Sequence, residues 1–131
     1  MIGLDTNILV RYIVQDDPHQ TATAVAFMDS LTSQNQGFVS LVTVAELCWV
    51  LNRTYKLSRI EFSGALQILL DSDELLIEGN DLVKEALRLF SKSKADFDDC
   101  LIERCSRAAG CTSIATFDKN AAKALGMQLL T

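Results

Sequence analysis

The chain has 131 residues, 49% of them hydrophobic, with six glycines, one proline and a net charge of −5; this describes one compact domain that buries about 70% of its unfolded surface. No apolar run reaches the ~20 residues needed to span a bilayer, and the start lacks the basic segment and small-residue cleavage site of a signal peptide, so a soluble, cytoplasmic protein is expected. A pI of about 4.7 disfavours a module held to nucleic acid by bulk positive charge, because phosphate contacts need lysine and arginine. It leaves room for an enzyme whose acids hold cations that in turn hold phosphate.

The chain opens with "MIGLDTNILV", in which Met1, Ile2 and Leu4 read as a buried strand that Asp5 interrupts. Asn7 to Ile13 can form a short helix, broken by "QDDPHQ". There Pro18 suits the first turn of a new helix, and Asp16 or Asp17 can cap its start. Ala22, Val25, Ala26, Met28 and Leu31 carry a helical stripe up to "TSQNQG". "FVS" is a short strand, and Ser40 caps a helix through "VTVAELCWVLNRTY". Ser58 and Glu61 form a capping-box pattern for a helix with Ile60, Ala65, Leu66, Ile68 and Leu69 on its apolar side.

"ELLIE" is a strand ended by Gly79 or Asn80. Leu82, Val83, Ala86, Leu87 and Phe90 have the spacing of an amphipathic helix. "ADFDDCLIERCSRAAG" makes another, closed by Gly110. "TSIATF" is a strand, "DKNAAKALG" a helix from Asp118 to Gly126, and "MQLL" a last strand. Short apolar strands alternating with helices predict a single α/β domain over residues 1–131, a three-layer α/β/α sandwich with a mainly parallel central sheet.

Cys48, Cys100, Cys105 and Cys111 contain no C-x-x-C pair and the chain has one histidine, His19, which argues against a structural zinc site. Cys48 and Cys105 fall in apolar helical patterns and read as buried thiols.

The acids carry the chemistry. In a parallel sheet, ligands bind beyond the carboxyl ends of the strands; Asp5 ends the first strand and Asp118 follows "TSIATF". Each also suits a helix cap. Glu46 is the one charged residue between Asp29 and Arg53, in a run apolar on nearly every helical face, where a buried carboxylate calls for a cation. A solvated strip of that helix is the alternative. In "ADFDDCLIER", at about 100° per residue, Asp96, Asp99 and Glu103 share one face, Phe97, Leu101, Cys105 and Ala108 form the core stripe, and Asp98 points elsewhere. Carboxylates are the natural ligands of Mg²⁺ and Mn²⁺, and such ions support phosphoryl transfer. His19, beside Pro18 in a polar turn, offers no credible serine–histidine–acid set.

"LDTNILV", "VSLVTVAEL", "ADFDDCLI" and "IATFDKNAAK", in that order along the chain, resemble the PIN-domain nucleases, and among them the VapC-type ribonuclease toxins of toxin–antitoxin pairs. The resemblance implies a metal-dependent endoribonuclease in which Asp5, Glu46 and Asp99 are the catalytic acids. It implies that they hold Mg²⁺ or Mn²⁺, with Asp118 as a more variable fourth ligand. Asp96 matches the first acid of the "ADF" motif, in support, and Thr6 and Asn7 match polar neighbours that position the first acid. Cys100 departs from the family, where alanine is commoner. The resemblance also implies a homodimer bound by an antitoxin, with RNA as substrate.

Lys84, Arg88 and Lys92 recur every four residues, and Arg53, Lys56 and Arg59 cluster near a helix end. Both groups could hold an RNA backbone, although a solvated helix face is the preferred reading. Two other functions fit parts of the pattern. A phosphatase of the haloacid dehalogenase type needs a second aspartate two residues after the first, where this chain has Asn7. A catalytically silent binding module would have no need of all the family's acids.

Overall fold

The computed structural model describes all residues, Met1–Thr131, which form two compact units, Met1–Asn80 and Asp81–Thr131. The first contains β1 (Ile2–Gly3), α1 (Thr6–Val14), α2 (Pro18–Asp29), β2 (Gly37–Val39), α3 (Leu41–Trp49), α4 (Arg59–Leu70) and β3 (Leu75–Ile77). A π-helical stretch, Val50–Thr54, prolongs α3. The strands form a parallel sheet in the order β1-β2-β3, Ile2 lying opposite Gly37 and Val39 opposite Ile77. Parallel neighbours need long crossovers, and the helices between the strands supply them.

Local chemistry sets the helix boundaries. Asp17 accepts from the Gln20 N–H at 3.0 Å with Pro18 in the first turn, Ser40 accepts from Thr43 N–H at 3.1 Å, and Ser58 and Glu61 complete their capping box. Asp16 has a different task. It binds the Arg11 guanidinium at 2.8 Å and accepts from the Tyr55 hydroxyl at 3.1 Å, tying the end of α1 to the chain beyond the π-helical stretch. That stretch begins its exit where the Tyr55 N–H reaches the Val50 carbonyl, five residues back, at 3.2 Å.

The core of this unit includes Leu9, Leu47, Leu51, Phe62 and Leu66 from the helices and the π-helical stretch, and Val39 and Ile77 from the sheet. Gly37 is required by close approach: a Cβ there would meet Leu4, Leu31 and Leu75 side chains at 2.9–3.1 Å. Three sequence expectations are corrected. Ile2 and Met1 are exposed, because β1 is an edge strand only two residues long, and burial begins at Leu4. In α2 the buried residue is Ala24, while Ala22 and Ala26 face solvent. In α4 the core face is Phe62, Leu66, Leu69 and Leu70, leaving Ile60 and Ile68 exposed. Both helices carry more apolar residues than one face can hold, so spacing alone leaves the phase open.

The second unit contains most of α5 (Asn80–Lys92), then α6 (Phe97–Ala108), β4 (Ala115–Thr116), α7 (Lys119–Leu125) and β5 (Gln128–Leu129). The β4 and β5 strands pair in parallel across α7. Gly79, with φ +66°, ends the run after β3. The expected stripe of α5 is buried at Val83, Ala86, Leu87 and Phe90, and Phe90 meets Phe97 edge to face at 5.9 Å. In α6, Phe97, Cys100 and Leu101 are buried, Cys105 is half-buried and Ala108 exposed. All four cysteines are free thiols, Cys48 and Cys100 being buried. No helix is long and apolar enough to cross a membrane.

Glu103 departs most from expectation. It lies inside, 4% exposed, instead of on an acidic face. Both Arg104 nitrogens, Nε and Nη2, donate to it, and Arg107 Nε donates at 3.2 Å. Arg107 also donates to the Thr112 carbonyl at 2.6 Å, fastening the turn at Gly110 to the helix. Arg104, then Arg107, hold the Glu103 carboxyl below its ordinary value against the opposing effect of burial.

A depressed folded value stabilises fully above the unfolded value and loses its contribution as pH falls through the folded one. Glu103→Gln should therefore lower stability near neutral pH by about 2 kcal/mol and flatten the acid limb of a plot of stability against pH. Urea melts across the acid range measure both, and a variant with wild-type stability and an unchanged acid limb would contradict this role.

Candidate metal centre

The first acids are placed by the turn from β1 into α1. Leu4 is buried, and the next residue leaves the sheet with extended backbone (φ −81°, ψ 156°) as the N-cap of α1. This puts Asp5 in solvent, with one carboxylate oxygen accepting from the Thr6 N–H at 2.7 Å. Thr6 is itself buried, 3% exposed, and its hydroxyl donates to Glu46 Oε1. One residue thus holds Asp5 with its backbone and Glu46 with its side chain. Asn7 is exposed and lines a cleft between α1 and α2 with Arg11, His19 and Phe27.

Glu46 is carried by α3, whose start is fixed twice. Besides the Ser40 cap, Glu78 Oε1 accepts from the Leu41 N–H at 2.7 Å. The helix buries Val44, Leu47 and Cys48 and leaves Val42, Ala45, Glu46 and Trp49 exposed. The expectation of a buried Glu46 is therefore corrected, and the carboxylate stands on the solvent side of an otherwise apolar helix. With one polar side chain among many apolar ones, the pattern gave no sign of which face was wet.

In the second unit, the carboxylate oxygens of Asp96, Asp98 and Asp99 lie within 4.8 Å of one another. Asp96 is the N-cap of α6 by backbone position, yet its side chain makes no capping hydrogen bond. Asp98 Oδ1 accepts from the Asp99 N–H at 3.0 Å. The inclusion of Asp98 and the loss of Glu103 both reverse the helical-wheel reading. Asp96 has extended, non-helical backbone (φ −72°, ψ 152°), so a phase counted from it does not place Asp98. Glu103, four residues after Asp99 within the helix, is drawn inward by Arg104 and Arg107. The signal missed was the cap itself: acids in a first turn converge around the helix start whatever their wheel angles.

Asp118 is the N-cap of α7. It accepts from Ala121 N–H at 3.0 Å, while its own N–H donates to Thr116 Oγ1 at 3.0 Å. It is exposed and is not one of the three clustered carboxylates. The capping reading of Asp5 and Asp118 is thus correct, but each cap engages one oxygen and leaves the other for a further ligand. Asn120 donates to the Lys94 carbonyl at 3.2 Å, fastening the start of α7 to the segment that leads into Asp96.

The donor set suits a hard dication. It is all oxygen, it concentrates negative charge, and in Asp96 it includes a carboxylate not engaged in capping its helix. Mg²⁺ and Mn²⁺ take such ligands together with water. Lys84, Arg88 and Lys92 form no ion pairs and lie along α5 with its two later members exposed, as a solvated face would.

Residues 2–125 match the PIN domain family. The chain is also 24% identical over 117 residues to a protein described as a VapC ribonuclease from Aquifex aeolicus (strain VF5), an alignment covering 88% of this chain and 86% of that one. All the acids placed above fall within the matched span, and the chain belongs to the PIN-domain family.

Proposed function

We propose that the protein is a divalent-metal-dependent endoribonuclease that hydrolyses RNA phosphodiester bonds. In this reading Asp5, Glu46 and Asp99 are the catalytic acids, Asp118 is a further metal ligand, and Thr6, Asn7 and Asp96 act in support. The observation that carries it is the family match over nearly the whole chain, and exposed Asp5, Glu46 and Asp118 with half-buried Asp99 support it. The relative named a ribonuclease supports RNA as the substrate class. Asn7, where a phosphatase of the dehalogenase type needs an acid, weighs against that alternative.

Mg²⁺, or Mn²⁺ in its place, would polarise the phosphodiester and make a nucleophile of water near neutral pH. The chain's own part is to hold the ligands still. Thr6 fixes the Glu46 carboxylate through a buried hydroxyl, and the Ser40 and Glu78 contacts fix the helix that bears it. Biologically we propose the toxin of a toxin–antitoxin pair, a cytoplasmic homodimer inhibited by a partner. A pocket built for a dication also accepts a guanidinium, whose planar fork matches paired carboxylates, so the antitoxin is proposed to present an arginine there.

Purified protein should cut single-stranded RNA in Mg²⁺ or Mn²⁺, stop in excess EDTA and recover when metal is restored. Asp5→Asn and Asp99→Asn should each cost about 100-fold in rate. Full activity in chelator would sink the metal assignment.

Thr6→Val preserves shape but removes the hydroxyl. It should weaken metal affinity about 10-fold while costing only about 1 kcal/mol of stability, read from metal titrations and urea melts of the same samples. Unchanged affinity would show that Glu46 needs no anchoring by Thr6.

A further inference from the structure

Of the nine aromatic residues, two are exposed: Trp49 at 54% and Phe117 at 79%. The rest are buried or half-buried. Each exposed ring adjoins an acid of the proposed centre, Trp49 three residues after Glu46 and Phe117 immediately before Asp118. Phe117 sits between a two-residue strand and a short helix, whereas Trp49 is carried by α3, whose start is capped twice.

Trp49 shares the solvent face of α3 with Glu46. At about 100° and 1.5 Å per residue, its Cα lies about 60° around the axis and about 4.5 Å along it from that of Glu46. The π-helical stretch then carries Arg53 outward, exposed and with no ion-pair partner. The face therefore presents a carboxylate, an indole and a guanidinium in succession along one helix.

We propose that this face is a binding track for single-stranded RNA, in which the Trp49 indole stacks on a base flanking the scissile bond and Arg53 holds a backbone phosphate beyond it. The inference rests on the ribonuclease reading and names how that site takes its substrate. Three physical arguments support it. A chain of net charge −5 does not hold RNA by bulk charge, so stacking, which is indifferent to sequence because every base has a π-face, is a source of affinity that such a chain can use beside local phosphate contacts. The order acid, ring, cation matches a metal-held phosphate, a base and a second phosphate. A protein interface, in contrast, depletes charge at its centre, and here Glu46 stands within the apolar patch formed by Val42, Ala45 and Trp49.

Trp49 is the sole tryptophan, so its emission reports on this position alone. The full-length protein is titrated with a single-stranded RNA oligonucleotide of mixed sequence, in chelator and again in Ca²⁺, while fluorescence is followed. Cleavage kinetics in Mg²⁺ and light scattering are measured on the same preparations. The expected result is saturable quenching of the indole in at least one of the two conditions. Trp49→Ala should raise KM about 10-fold with little change in kcat, and Trp49→Phe should restore most of the loss. Arg53→Gln should lower the slope of log affinity against log salt by about 0.7, the single-strand value for one phosphate contact.

If the wild type cuts RNA but its emission does not respond and the KM of Trp49→Ala is unchanged, the track is wrong and the ribonuclease reading stands. If Trp49→Ala converts a dimer to a monomer with KM unaltered, the face is a protein interface and the proposal is overturned. If the wild type neither binds nor cuts RNA, both readings fall together.

Discussion

The hydrogen bond from the buried Thr6 hydroxyl to Glu46 is the contact on which the arrangement of acids in the first unit depends. Carboxylates near one another repel, and an exposed glutamate on a helix would ordinarily sample many rotamers. Thr6 removes that freedom by donating to Glu46 from a position with almost no access to water, while its N–H engages Asp5 one residue back. The same contact joins the first turn of α1 to the middle of α3. Anything that shifts α3 moves Glu46, which is why the Ser40 and Glu78 contacts at its start matter beyond ordinary helix capping.

The second unit shows how neighbouring acids take opposite roles. Glu103 is drawn inside and neutralised by two arginines, which makes it structural. Asp96, a few residues earlier, occupies the cap position of the same helix without using its side chain for capping, and its oxygens gather with those of Asp98 and Asp99. An acid that pairs with arginine inside the fold is already satisfied. Acids crowded at a helix start gain from the macrodipole but keep mutual repulsion, which a dication relieves.

Much of this was legible in the sequence, and the remainder failed for identifiable reasons. The order of strands and helices followed from apolar spacing and caps, and Ser58–Glu61 and Asp17–Pro18 fell where they were expected. Asp5 and Asp118 were legible because each follows a short strand and starts a helix, where aspartate is a favoured cap. Burial was misjudged at Ile60, Ile68 and Glu46, where a surplus of apolar residues hides the wet face. Asp98 was missed because Asp96 lies outside the helix, where wheel angles do not hold, and Glu103 because two arginines of its own helix draw it inward. The Thr6–Glu46 contact spans forty residues, and no local pattern encodes it.

The central claim is that these acids exist to hold a divalent ion, and calorimetric titration of Mn²⁺ into metal-free protein addresses it without reference to any RNA. The expected result is saturable binding that weakens at least about 10-fold in each of Glu46→Gln and Asp99→Asn, with both variants folded as the wild type is. Undiminished binding in either variant, or no binding by the wild type at millimolar metal, would contradict it.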